Sequence, residues 1–153
     1  MYEGLLRVGL IARGPGVPAG RIVHDPVSTI DLAATFAESA GIGSDWAAHS
    51  RSLWPLILRD DASRDFAFNE WHLLPARTGV ELKLRTVRTR THKLTLERAS
   101  GAGELYDLVN DPDEMDNRFD DPATAPVRKA LTEAAMSRPR DGRAGTPVQV
   151  GAA

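Results

Sequence analysis

Glu70, Trp71 and His72 put an acid, a large aromatic and an imidazole on consecutive positions at the end of a predicted strand. Side chains at a strand end can overhang a cleft, so these three are the candidate ligand-lining residues, with core packing of Trp71 as the competing role. A second cluster is cationic: Lys83, Arg85, Arg88, Arg90, His92, Lys93 and Arg98 fall within one hairpin, 83–98, which raises binding of a polyanion as an alternative function. Those strands lack aromatic platforms for stacked bases, and Arg and Lys on a wet strand face are ordinary. A third cluster is acidic, with Asp107, Asp111, Asp113, Glu114 and Asp116. An EF-hand calcium loop needs Asp or Asn at its fifth place and Gly at its sixth; Met115 and Asp116 stand there, so a solvated turn is expected instead. His24, His49, His72 and His92 form no H-x-x-H or H-E-x-x-H pair, and no metal site is expected. Gly14, Gly16 and Gly20 miss G-x-G-x-x-G by one position, and Pro15 and Pro18 remove amides that a phosphate would use.

The chain has 153 residues, enough for one domain, or for part of one with a satellite, and a core of ordinary size. A formal charge of −2, with 42% hydrophobic and 26% charged residues, provides no global field to attract nucleic acid or an anionic membrane, and neither is an expected partner. Absence of cysteine excludes disulfides, thiolate ligands and a Cys nucleophile without fixing a compartment. No stretch reads as a signal peptide or approaches the ~18 apolar residues of a membrane span, so the chain reads as soluble, with its localisation unassigned.

Three regions must position these clusters. In 1–61, residues 5–12 form an apolar run closed by Gly14-Pro15-Gly16, which predicts a buried strand needing sheet partners on both edges. Ser28 with Asp31 predicts a capped helix start, with Ile30, Ala33, Phe36, Ala37 and Ala40 apolar before Gly41 stops it. The knot Leu53-Trp54-Pro55-Leu56-Ile57 predicts one helical turn anchoring a loop. In 62–136, alternation predicts a strand near 66–71 and two more around 82–97, with Val87, Leu94 and Leu96 facing the core and Arg85, Arg88, Arg90 and Lys93 on the wet face and turn. Val127, Ala130, Leu131, Ala134 and Ala135 then recur at helical spacing, with Pro126 in the opening turn. Residues 137–153, rich in Arg, Pro, Gly and Ala, predict a disordered tail.

The stretch Glu104 to Phe119, ELYDLVNDPDEMDNRF, has an order of apolar, turn and acidic residues too particular for generic surface. Together with Tyr2-Glu3-Gly4, Arg7-Val8, Asp31-Leu32, Thr35, Gly41-Ile42, Ser52-Leu53, Pro55-Leu56, Arg85 to Thr89 and Lys93-Leu94, it resembles the C-terminal part of a sulfatase of the alkaline-phosphatase-like superfamily. Gly9 departs from the Pro usual there. The resemblance covers 2 to about 135 and implies an α/β fold: the late strand and helix of a main sheet, then a small antiparallel sheet with a C-terminal helix.

The same resemblance implies hydrolysis of a sulfate ester, or of a phosphate or phosphonate ester in a related branch, by a formylglycine nucleophile with a calcium-type cation. That nucleophile, the metal ligands and a sulfate-binding Lys all belong to family positions before the matched region. Ser137-Arg138-Pro139-Arg140 imitates the nucleophile motif, but Asp141 stands where Arg is needed. The expectation is a C-terminal fragment that is structural and borders a substrate pocket through Glu70, Trp71 and His72, inactive alone, with no catalytic residue or cofactor of its own. Its expected partner is an N-terminal sulfatase portion, or a second copy.

Overall fold

Alternation of Thr, Val and Leu with charged residues between 67 and 107 produces four strands, because each can bury one side chain in two against a neighbour. In the computed structural model, which describes residues 1–43, 49–58, 64–75 and 79–137, these are β1 (Ala67–Leu73), β2 (Leu82–Arg88), β3 (His92–Glu97) and β4 (Gly103–Asp107). They form an antiparallel meander in the order β1-β2-β3-β4.

Register sets one face apart as the core. Val87 lies opposite Leu94, and Leu94 opposite Leu105. All three are fully buried, and α4 (Ala125–Ser137) covers them with Leu131 and Ala135. Val127 and Ala134 pack at the margin, whereas Ala130, expected on the same stripe, is exposed. A 3₁₀ turn, Pro122–Thr124, leads into α4, and the Asp121 carboxylate accepts from the Ala123 amide at 2.8 Å. Gly103 is required by packing: a Cβ there would lie 2.2 Å from the Phe119 ring.

The first third is built differently. α1 (Glu3–Leu6) is one turn, α2 spans Asp31–Ser39 and α3 spans Trp54–Leu58. α2 starts at Asp31, later than a Ser28 cap would place it, and only half of the expected box forms: the Ser28 amide donates to Asp31 Oδ2 at 2.8 Å, while the Asp31 amide bonds the Ser28 carbonyl and not its hydroxyl. It stops as expected, since Gly41 has φ 66° and Ile42 N–H bonds Ala37 O while Gly41 N–H bonds Glu38 O. The expected anchor holds too, with Leu53 and Leu56 buried. Residues 5–12 depart from expectation: the first two close α1, and Val8, Leu10 and Ile11 are exposed with no strand assigned. A strand buried on both sides needs ladders on both edges, and the only sheet among the described residues is the meander. The expected tail lies outside the described residues apart from Ser137, which closes α4.

Candidate functional site

Strand geometry divides the Glu70, Trp71, His72 triplet, because neighbours on a strand point to opposite faces. Glu70 pairs in register with Arg85 and His72 with Lys83, on the face that α4 covers; Trp71 pairs with Leu84 on the other face. Glu70 accepts from Arg85 Nε at 2.8 Å, and Arg85 also donates to the Ala135 carbonyl at 2.9 Å, tying sheet to helix. His72 Nε2 lies 2.9 Å from Glu81 Oε1, and Lys83 Nζ is equally close to it. The His72 hydrogen bond, then Lys83, holds the Glu81 carboxyl below the usual range. Trp71 is 46% exposed.

Of the hairpin cations, Lys83, Arg85, Arg88, Arg90 and Lys93 form ion pairs within the chain. Lys83 pairs with Glu81, Arg85 with Glu70, Arg88 with Glu3 and Arg90 with Asp25. Lys93, expected on the wet face, is fully buried and pairs with Glu114 and, at 3.6 Å, with Glu3. The correction has a physical cause: over β3 and β4 the second face of the meander is covered. Met1, Tyr2 and Glu3 lie across it, so Lys93, alternating with core-facing Leu94, points into a second interior.

Glu114 is the centre of that interior. It was expected in a solvated turn, yet it is 6% exposed and has φ 57°, the sole non-glycine residue with positive φ among those described. One carboxylate oxygen meets Lys93; the other accepts the Glu3 amide at 2.6 Å. Arg88 Nε reaches Glu3 at 3.2 Å. Two cations thus balance two carboxylates, which makes their burial tolerable. Tyr106 lies beneath, its ring 5.9 Å from Lys93 Nζ and 6.2 Å from the Tyr2 ring, and burial followed by a hydrogen bond with Tyr2 pushes its hydroxyl pKa up. The Met1 amine caps the row, 3.3 Å from Thr95 Oγ1 and from Glu104.

Asp107 and Asp111 do turn work. Asp107 accepts the Val109 and Asn110 amides, and Asp111 accepts those of Met115 and Asp116. A second buried carboxylate, Asp31, accepts from Ser28, the Arg51 amide at 3.0 Å and Arg64 at 2.8 Å. Thr35 Oγ1 donates to the Asp31 carbonyl and accepts from Leu53, binding α2 to the segment that carries α3. Among the described residues, no group of three or more His, Asp or Glu side chains could hold a metal ion. The described residues therefore furnish no calcium centre.

Sequence reasoning missed the Glu3, Lys93, Glu114 cluster as a unit. The signal was present in pieces, since each belongs to a separate signature segment, but only the folded chain puts the three charges together. An antiparallel meander closed by a C-terminal helix, preceded by a helix-bearing segment, defines the C-terminal unit of an alkaline-phosphatase-like sulfatase. The family model for N-sulphoglucosamine sulphohydrolase, C-terminal, matches residues 1–140, and the chain belongs to that family.

The chain is 32% identical over 136 residues to the uncharacterized sulfatase YidJ of Escherichia coli, covering 89% of this chain and 27% of that protein. It is 32% identical over 124 residues to human arylsulfatase K, covering 76% of this chain and 23% of that one. A solved 2-O GAG sulfatase superposes with TM-score 0.69 at 28% identity, over 82% of this chain and 28% of its own. The chain thus spans about a quarter of the length of the curated relatives it matches. Among the described residues, no helix is long and apolar enough to cross a membrane.

Proposed function

We propose that this chain is the C-terminal, pocket-bordering part of a sulfuric ester hydrolase and that it does not turn over substrate unaided. The observation that carries the reading is the convergence of Glu3, Lys93 and Glu114, the charged members of three signature segments. They join the N-terminal segment to the sheet, a positioning role, and expose no group to a reacting ester. Hydrolysis of a sulfate ester needs an aligned nucleophile, a cation or metal on the sulfate oxygens and an acid for the leaving alcohol. In a complete family member a calcium-type cation would polarise those oxygens; its ligands are not furnished by the described residues of this chain.

What this chain supplies is a wall. Trp71 stands half-exposed on the same sheet face as Met1 to Glu3, the face from which the chain enters the meander, and is the residue best placed to touch the organic part of a substrate. Glu70 and His72 flank it on the opposite face, and their share of the wall is through the Arg85 and Glu81 contacts that stiffen the strand end. The partner is an N-terminal sulfatase portion.

The test is hydrolysis of an aryl sulfate and an aryl phosphonate by the purified folded chain, with calcium present and then chelated. No turnover is expected in either condition. Calcium-dependent turnover that survives repurification would sink the reading.

A further inference from the structure

We propose that the outer edge of β1 pairs with itself: a second copy of this chain docks β1 against β1, antiparallel, and joins the two meanders into one continuous sheet about a two-fold axis at Trp71. The inference rests on the meander alone and stands whether or not the hydrolase reading holds.

The meander has two edges and guards only one. β4 is closed, because Leu105 N–H bonds Asn117 Oδ1 and Arg118 N–H bonds Leu105 O. β1 ends the strand order on the other side, and among the described residues no strand lies beyond it. Open edges are ordinarily blunted by Lys, Pro, a bulge or short length. β1 has none of these: it is seven residues long, Ala67-Phe68-Asn69-Glu70-Trp71-His72-Leu73, in unbroken register with β2, and its middle, 69–72, is exposed.

The ladder says which backbone groups face outward. Thr89 N–H bonds His92 O and Arg98 N–H bonds Lys83 O, so odd-numbered residues of β2 bond β3 and even-numbered ones bond β1. Those even residues stand opposite Ala67, Asn69, Trp71 and Leu73, which directs the amides and carbonyls of Phe68, Glu70 and His72 away from β2. A two-fold axis normal to the sheet keeps each side chain on its own face, so it must pass beside one residue. An axis at Glu70 sets two carboxylates opposite each other, which repel. An axis at Asn69 sets Glu70 against Phe68. An axis at Trp71 sets Glu70 against His72 of the second copy, twice, and Phe68 against Leu74, which is 46% exposed just past β1. Trp71 then meets Trp71 of the second copy at a non-hydrogen-bonded position, where cross-strand side chains come closest and an aromatic pair is favoured. Charge, apolar match and ladder agree on this register alone. It leaves both α4 helices on one face of the joined sheet, and Trp71, the wall residue proposed above, is supplied by both copies.

The experiment is sedimentation of the purified chain over a range of concentrations, with amide exchange and disulfide trapping to read the register. A monomer–dimer equilibrium is expected, with the His72 amide exchanging more slowly as concentration rises. Trp71→Lys, which sets like charges opposite at the axis, should weaken association at least ~10-fold, while Met136→Asp, at the far end of α4, leaves it unchanged. The chain has no cysteine, so a single introduced Cys can form a disulfide only between copies. Trp71→Cys should link to itself on mild oxidation; Glu70→Cys should link to His72→Cys in a mixture and not to itself, because two positions along the strand exceed disulfide reach. A chain that stays monomeric on concentration overturns the proposal. So does a dimer that Trp71→Lys leaves intact, as one joined through the exposed Ile11 would be. Self-linking of Glu70→Cys in place of Trp71→Cys overturns it as well, since the axis would then lie elsewhere.

Discussion

Glu114 shows what a single residue can decide. Its backbone sits in the left-handed region, which Asn or Gly would occupy more easily, so its carboxylate must compensate for the conformation. Removing one partner of a buried charged set leaves the others uncompensated, and Glu114→Ala or Lys93→Met should each cost about 3–5 kcal/mol in urea unfolding. The double variant should cost less than the sum, because Arg88 still serves Glu3; strict additivity would show that the charges do not act together. Gly103 tests shape rather than charge. Gly103→Ala should destabilise by about 1–3 kcal/mol as the Phe119 ring is displaced, and a truncating second change, Phe119→Leu, should relieve part of that loss.

At the level of elements, the β3 to β4 connection is held by one carboxylate. Glu97 accepts from the Ser100 amide at 2.6 Å, the Ser100 hydroxyl at 2.7 Å and the Ala99 amide at 3.0 Å, and the two Ser100 bonds, then Ala99, lower its pKa to about 2. A depressed carboxyl stabilises the fold above its unfolded value, ~4.3, and that contribution is lost as pH falls toward 2. Ser100→Ala should move the Glu97 titration upward when followed by NMR, and make the turn loosen at a higher pH; an unchanged titration would remove the stated cause. In the core of the same sheet, Leu94→Ala should cost about 2–5 kcal/mol in thermal or urea unfolding.

The meander and α4 were legible in the sequence because period-2 and period-3.6 patterns report one buried face, and Val87, Leu94 and Leu131 carry that signal. Lys93 and Glu114 were not, since periodicity treats a charge as wet. Their burial depends on Met1 to Glu3 crossing the second sheet face, about ninety residues away in sequence for Lys93. The triplet at 70–72 was visible as unusual chemistry, but its division between two faces follows from strand alternation once the register is known. The strand at 5–12 was read from composition alone, and composition cannot supply the neighbours that a ladder requires.

For the whole molecule, stability and surface are distributed unequally. The meander with α4 owns the hydrophobic core, while the first third exposes Leu5, Val8, Leu10, Ile11, Ile22 and Phe36. That asymmetry predicts a chain that binds a hydrophobic dye while its sheet remains cooperatively folded, with the dye signal falling on addition of an upstream partner. A signal tied to loss of the sheet itself would contradict it. The closed β4 edge has a further consequence. Asn117 Oδ1 accepts the Leu105 amide and the Arg118 amide donates to the Leu105 carbonyl, so addition of one copy's meander to another's is left to the β1 side. Joining two molecules in that way uses both available edges and leaves none for a third, so overcrowding should yield pairs, not fibrils.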